Sequence, residues 1–340
     1  MKILIASGIY PPDIGGPAQY ARNLFETWRA EGHDVKVAAY RWERAAPPLV
    51  RHLLYLTKIM RKGWNADLII VLDTWSAAVP TMVACMLMRK KYILRTGGDF
   101  LWESYVERTS DLVLFREFYD TRMGKLSFKE KLVFKWGGAA LRRSSAVIFS
   151  TDWQRRIFEP VYKLDRKKDF IVENYCGARE AAVEPDGRVF IAGSRAIALK
   201  NAARVIKAFE SANQEIVKLG FPVVELDRGK AMYDNFVEKI RNAYAVLLVS
   251  LSEISPNMIF DAIRLGVPFI VTKETGVAEK IKGVAVFADP LDEDDIKKKI
   301  VWMSDPKNRA IQATKLETFD FRHSWEEIAK EIFAIWHRLS

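Results

Sequence analysis

Two carboxylates eight positions apart, Glu253 and Asp261, frame the segment Glu-Ile-Ser-Pro-Asn-Met-Ile-Phe-Asp-Ala-Ile-Arg-Leu-Gly-Val-Pro at 253–268. One apolar run, Tyr244–Val249, precedes it and another, Val267–Thr272, follows. That order of strand, polar turn, helix, glycine and strand starts a helix near Pro256, whose first N–H groups have no partner within the helix. Such a terminus is an anion site. Glu253 then precedes the helix and Asp261 lies about a turn and a half along it. An acid at either end of an anion-binding turn suits a ligand with hydroxyls on both sides of its phosphates. An isolated Glu-x7-Asp pair is more often a solvated turn acid and an exposed helix acid, but Pro256-Asn257 and Gly266-Val267-Pro268 weigh against that here.

Three other strand exits carry residues of the same kind. After Arg188–Ala192 come Gly193-Ser194-Arg195 and then Lys200, just before a helix over Asn201–Ser211. Two cations and a set of helix N–H groups suit a diphosphate leaving group as its charge grows, although Arg195 and Lys200 taken alone read more often as solvated surface charges. After Lys2–Ser7, the turn Gly15-Gly16-Pro17 lets backbone approach a ligand at a helix start. It is not Gly-x-Gly-x-x-Gly, so no dinucleotide fingerprint is present. After Lys91–Arg95, Thr96-Gly97-Gly98-Asp99 stands where a doubly wound sheet builds a ligand crevice, although Asp99 alone reads equally well as a helix cap.

The elements that must hold these residues are strand-helix-strand units. Apolar strands at Lys2–Ser7, Asp34–Tyr40, Asp67–Leu72, Lys91–Arg95 and Ala146–Ser150 alternate with helices, which predicts a parallel sheet. A second series, Arg188–Ala192, Tyr244–Val249, Val267–Thr272 and Val284–Phe287, follows a polar linker at 178–187. At 340 residues the chain has room for two domains with full cores. They are expected at 1–170 and 171–320, with a terminal amphipathic helix in 321–340 packing back toward the first. Between the helix ending near Leu219 and the Tyr244 strand only about 24 residues remain.

Hydrophobic content of 49% with 28% charged residues is that of a soluble globular protein, and no stretch approaches the ~20 apolar residues of a membrane span. The start reads as a buried strand, not a signal peptide. Cys85 and Cys176 lack metal-ligand spacing and form no disulfide framework, which fits a reducing cytoplasm. Asp289-Pro-Leu-Asp-Glu-Asp-Asp295 contains Asp-x-Asp, but its place before a Lys-rich run makes it an acidic helix start, so no metal site is expected. The four histidines are dispersed. Residues 1–155 hold 24 Lys/Arg against 15 Asp/Glu, and residues 156–340 hold 29 against 28. The first half therefore calls for an anionic partner. Its basic residues lie on an amphipathic helix at 47–63 and in an aromatic stretch at 105–143. Such a helix more often packs its apolar face in a domain and solvates the rest. No nucleic-acid-binding motif accompanies the aromatic stretch, so an insertion that covers a ligand site or rests on an anionic membrane surface accounts for the charge better than nucleic acid does.

The segment 253–268 resembles the Glu-x7-Glu signature of family-4 glycosyltransferases, with Ile254-Ser255 for Gly-Phe and Asp261 for the second Glu. Tyr10-Pro-Pro-x-x-Gly-Gly16, Gly98-Asp-x-x-Trp-Glu103, Gly193 through Lys200 and Thr272-Lys-Glu-Thr-Gly276 resemble further segments of that family in the same order. The resemblance implies a GT-B fold, two Rossmann-like doubly wound parallel-sheet domains facing a central cleft, with acceptor in the first and donor in the second. It implies a retaining, metal-independent, cofactor-free transfer of a sugar from a nucleotide-sugar to a hydroxyl of a glycan or lipid-linked acceptor, in cell-surface glycan or glycolipid synthesis. Arg195 and Lys200 would stabilise the departing diphosphate and Glu253 would hold sugar hydroxyls. Asp261 would take ribose hydroxyls, and Asp99 would orient sugar or acceptor. Backbone at Gly15, Gly16, Pro256, Asn257 and Met258 would line the phosphates. The short 219–244 segment trims the nucleotide domain and, with Asp261, keeps a weakly catalytic nucleotide- or glycan-binding scaffold as the alternative.

Overall fold

The computed structural model describes residues 1–13, 15–193, 197–229 and 231–339. The chain separates into two compact units, Met1–Ser104 with Thr121–Asn174 and Trp325–Ser340, and Tyr105–Asp120 with Tyr175–Ser324.

In chain order the elements up to the linker are β1 (Lys2–Ser7), α1 (Gly16–Ala30), β2 (Asp34–Ala39), α2 (Pro48–Gly63), β3 (Leu68–Val71), α3 (Ala78–Met88), β4 (Ile93–Thr96), α4 (Phe100–Thr109), α5 (Phe115–Thr121), α6 (Phe128–Arg143), β5 (Ala146–Phe149), α7 (Asp152–Tyr162) and β6 (Asp169–Ile171). The strands form one parallel sheet in the order β2-β1-β3-β4-β5-β6. Every residue of β3, β4 and β5 is buried, because helices cover both faces of a parallel sheet and leave no strand position in water. Thr151 begins α7 by accepting a hydrogen bond from Gln154 N–H at 3.2 Å. Ser127 and Glu130 cap α6 reciprocally.

The remaining elements are β7 (Val189–Ala192), α8 (Ala202–Lys218), β8 (Glu225–Asp227), α9 (Tyr233–Arg241), β9 (Ala245–Leu248), α10 (Asn257–Arg264), β10 (Phe269–Thr272), α11 (Ala278–Ile281), β11 (Val286–Ala288), α12 (Glu293–Ser304), α13 (Pro306–Thr318) and α14 (Trp325–Leu339). The second sheet is also parallel, ordered β11-β10-β9-β7-β8. Alternation along its strands feeds two cores: Val246, Leu248 and Val271 pack with α10, while Ala245, Leu247 and Ile270 pack with α8 and α12. Asp292 caps α12 with the N–H groups of Asp294 and Asp295, so the Asp-x-Asp run is a helix start. α14 belongs to the first unit, where Trp325 meets Tyr20 of α1 at 5.0 Å and Phe333 meets Trp28 at 5.3 Å.

The two sheets share a topology in which the strand order reverses beside the first strand, between β1 and β3 in one unit and between β7 and β9 in the other. In open α/β sheets ligands bind outside the carboxyl ends of the strands at this reversal.

Candidate active site

The segments leaving β7 and β9 meet at the reversal of the second sheet. A short 3-10 turn, Ala198–Lys200, follows β7, and Leu251 N–H donates to its Leu199 carbonyl at 2.9 Å. This stitch places Lys200 beside Glu253. Lys200 Nζ lies 2.5 Å from Glu253 Oε1, and Ser250 Oγ donates to the same oxygen at 2.6 Å. Both ionic side chains retain some exposure, 17% for Lys200 and 14% for Glu253. The Glu253 backbone is fixed as well: its N–H donates to Glu274 O at 2.8 Å and its carbonyl accepts from Gly276 N–H at 2.9 Å. A crevice lined by Gly193, Lys200, Arg228, Leu248 and Ser250 opens at this point. Lys200 lines this crevice and Glu253 stands beside it through their ion pair, so the pair can engage a phosphate and a hydroxyl together.

Residues 105–120 complete the surroundings. Glu107 Oε1 accepts from Ala198 N–H at 2.6 Å, Ser252 Oγ accepts from Phe115 N–H at 3.1 Å, and Arg116 meets Glu274 at 3.0 Å. Burial raises the pKa of Glu274 and the Arg116 charge opposes that rise.

Helix α10 starts at Asn257 after Pro256, which supplies no side-chain cap. The first ladder bond is Ile259 N–H to Pro256 O at 3.0 Å, so Met258 N–H lies in an uncapped first turn. Asp261 is 4% exposed. Tyr233 O–H stands 3.2 Å from each of its oxygens, and Arg264 Nε donates to Oδ1 at 2.9 Å. Arg264 also pairs with Glu180, which in turn meets Arg241. Burial raises the Asp261 pKa and the Arg264 guanidinium opposes it.

No family model matches the chain, and no curated protein matches it. Solved structures do. HepE of Anabaena in complex with UDP and glucose superposes with a TM-score of 0.71 at 16% identity, covering 99% of this chain and 100% of that one. Sucrose-phosphate synthase from Thermosynechococcus elongatus gives 0.69 at 14% identity, covering 99% and 98%. The lipopolysaccharide outer core galactosyltransferase WaaB gives 0.60 at 14% identity, covering 99% of each. The fold is GT-B.

Within this GT-B chain the second unit brings Lys200, Glu253 and the Pro256–Met258 turn onto neighbouring strand exits, with Asp261 inside the same helix. Arg195 lies outside the described residues. In the first unit Gly15 has φ 154° and ψ 156°, and a Cβ there would stand 3.2 Å from Ile9, so glycine is required. Its carbonyl accepts from Ala18 and Gln19 at the start of α1, and Gly16 opens the helix. Asp99 is 2% exposed, and its Oδ1 accepts from Leu101 N–H at 2.8 Å and Trp102 N–H at 3.2 Å, capping α4. Gln154 holds the same turn by donating to Gly98 O at 3.0 Å.

Several residues that position these groups escape a reading of the sequence. Asn201 takes a left-handed conformation, φ 55° and ψ 30°, where the resembled motif commonly has glycine. It is buried, donates to Val249 O at 3.2 Å and Pro290 O at 2.7 Å, and accepts from Arg204 at 2.8 Å. An Asn directly after the lysine was the available signal, since Asn tolerates that conformation better than other side chains. Asp13 and Arg44 pair at 2.7 Å and shape the loop before Gly15, with Arg44 holding the Asp13 pKa down. Asp73 accepts from the backbone of Trp75, Ala77 and Ala78 at the exit of β3, beside Gly8. Among the described residues no group of three or more His, Cys, Asp or Glu side chains is placed to hold a metal ion, and no helix is long and apolar enough to cross a membrane.

Proposed function

We propose that the chain is a retaining, metal-independent family-4 hexosyltransferase that moves a sugar from a nucleotide-sugar to a hydroxyl of a glycan or lipid-linked acceptor, in cell-surface glycan or glycolipid synthesis. The observation that carries this reading is the Lys200–Glu253 pair at the reversal of the second sheet. HepE has been solved with UDP-glucose, which makes a UDP-hexose the first donor to test. Residues 171–320 bind the donor and residues 1–170 the acceptor. The work takes place in the cytoplasm at an anionic membrane surface, without nucleic acid.

When the donor enters, Lys200 turns from Glu253 to the diphosphate and shares its charge with Arg195. Glu253, still held by Ser250, accepts from sugar hydroxyls. The backbone at Pro256–Met258, where α10 begins, meets the phosphates, and Gly15-Gly16 line them from the first unit. Asp261 exchanges the Tyr233 hydroxyl for ribose hydroxyls, and Asp99 orients sugar or acceptor from the Gly97-Gly98 turn. As the sugar–phosphate bond breaks, negative charge collects on the diphosphate, where the fixed cations stabilise it more than in the ground state. The departing phosphate takes the acceptor proton, and no side chain serves as nucleophile.

The test is nucleotide release and product formation from a panel of nucleotide-sugars, with and without chelator, followed by the anomeric configuration of the product. Turnover lost in Lys200→Ala supports the reading. A second reading, a nucleotide- or glycan-binding scaffold, is favoured by the full set of partners that Asp261 already holds. Binding without turnover, unchanged by Lys200→Ala, selects it.

A further inference from the structure

The basic, aromatic stretch 105–143 divides in two. Its first part turns its rings inward: Tyr105, Phe115, Phe118 and Tyr119 are buried, with Tyr105 and Phe118 packed at 5.3 Å. Its second part, α6, does the opposite. Phe128 is 78% exposed, Leu132 37% and Trp136 44%, at successive four-residue steps on one face. Lys125, Lys129, Lys131, Lys135, Arg142 and Arg143 are exposed around them. The single acid of the helix, Glu130, is buried in the capping box. At 3.6 residues per turn Phe128, Ala139 and Leu132 run along the middle of the face, with Lys131, Lys135 and Arg142 on one flank and Lys129, Arg143 and Trp136 on the other. The opposite side of α6 is fixed inward by Gly137 and Gly138, where a Cβ would lie 2.9 Å from Thr74 O and 3.0 Å from the Tyr162 ring. Exposed Met86 and Leu87 at the end of α3 extend the apolar strip, and Arg143 touches Met86 at 3.1 Å.

We infer that this face of α6 is a docking surface for an anionic lipid bilayer. An apolar strip with Phe, Leu and Trp between rows of lysine is the pattern of a helix lying in the membrane interface, its lysine stems extended toward headgroups. Lys129, Lys131 and Lys135 have no partner among the described residues, so their charge is free for an anionic surface. A second copy of the chain is a poor occupant, because it would set one row of cations against another. Nucleic acid is a poor one as well, since no nucleic-acid-binding motif accompanies this stretch. The other amphipathic helix, α2, is a weaker candidate although it exposes Leu49 and Leu53. Its Lys58 donates to Ala39 O at 3.0 Å and meets Glu43, and its Lys62 donates to Val37 O at 2.6 Å. The inference deepens the membrane partner of the proposed function and rests on that reading only for a membrane-borne acceptor.

The experiment is flotation of the full chain with vesicles of zwitterionic lipid alone or mixed with anionic phosphatidylglycerol. Binding is expected only with the anionic lipid. Lys129→Gln with Lys135→Gln lowers the partition on the order of twentyfold, and Phe128→Ser with Trp136→Ser lowers it on the order of tenfold. Leu49→Ser with Leu53→Ser in α2 leaves it unchanged. An environment-sensitive dye on Leu132→Cys shifts to the blue on anionic vesicles; the native Cys85 and Cys176 are each 1% exposed and stay unlabelled. Transfer to a soluble acceptor without vesicles is retained in every α6 variant, which separates this inference from the catalytic reading. Binding independent of anionic lipid, binding lost through the α2 pair but not through α6, an unshifted dye, or oligonucleotides displacing the chain through the same α6 residues would each overturn it.

Discussion

Glu253 and Asp261 bracket one turn and one helix, yet they occupy opposite settings. Glu253 sits at a strand exit, partly open, with a flexible lysine and a serine hydroxyl on one oxygen. Asp261 is sealed in, with a tyrosine hydroxyl and a planar guanidinium on its oxygens and a further acid behind that guanidinium. A lysine on four methylenes can leave a carboxylate for a phosphate at small cost, whereas a buried Arg–Asp pair leaves an uncompensated charge if either member goes. Two acids in one short motif therefore differ in how readily they can be freed for a ligand: Glu253 has a flexible partner at a partly open exit, whereas Asp261 shares its oxygens with α9 and with an Arg264 that also pairs with Glu180.

The largest expected effect tests the exchangeable end. Lys200→Ala should lower kcat about 10²- to 10³-fold, the usual consequence of removing one fixed stabiliser of a developing anion. Its stability should change by about 1 kcal/mol or less, because the pair is partly solvated and Ser250 still satisfies Glu253. Kinetics and a urea melt on one preparation check both halves, and a large loss of stability would erase the distinction from Asp261. The buried end should behave the other way. Asp261→Ala should cost about 2 kcal/mol in urea unfolding, since it takes the acceptor from the Tyr233 hydroxyl and leaves Arg264 with Glu180 alone. If instead it folds normally and only nucleotide affinity falls, Asp261 is a ligand-binding acid and not a structural one.

The strand exits that carry Lys200 and Glu253 are legible in the sequence and the partners of Asp261 are not, for a physical reason. Strands such as Leu68–Val71 and Phe269–Thr272 are uninterrupted apolar runs because both faces of a parallel sheet are covered, so their positions and the exits after them can be read directly. Lys200 and Glu253 follow such exits, but it is the match of their segments to a family's motifs, in order and spacing, that makes them site candidates. Tyr233 reaches Asp261 across 28 positions through a helix that no periodicity ties to α10, and no local pattern announces such a contact. The strand Glu225–Asp227, only three residues long, lies below the length at which an apolar run is distinctive. The stretch 105–143 misled in a different way. Composition cannot tell rings that fill a core, as at Phe115 and Phe118, from rings left in solvent, as at Phe128 and Trp136.

A third change sharpens how Lys200 is held. Asn201→Ala keeps a Cβ in the left-handed region, loses the side-chain bonds to Val249 and Pro290, and removes the acceptor for Arg204. It should cost about 2 kcal/mol, combining the conformational penalty with lost buried hydrogen bonds. Asn201→Gly relieves the backbone part and should recover about half of that stability. Activity that follows the glycine variant would show that backbone shape at this position, and not the Asn amide, presents Lys200 to the crevice.

The smallest effect concerns a buried carboxylate with no counterpart to either setting. Both oxygens of Asp169 at the start of β6 are without a hydrogen-bond partner among the described residues, and burial, reinforced by nearby Glu159, pushes its pKa up to about 6. The unfolded value is about 3.9, so the folded state binds the proton more tightly. Its contribution to stability is therefore most favourable below about pH 4, declines as pH rises from about 4 to 6, and is fully adverse above that. Asp169→Asn removes the penalty and should stabilise the protein at pH 7 by on the order of 1 kcal/mol after allowance for partial solvation, with no gain at pH 4. Melting temperatures of both proteins across that range decide the matter. A gain that is flat with pH would mean that the effect of the substitution does not come from the Asp169 charge, and that this half-buried acid carries no penalty that a lysine or arginine would have to offset.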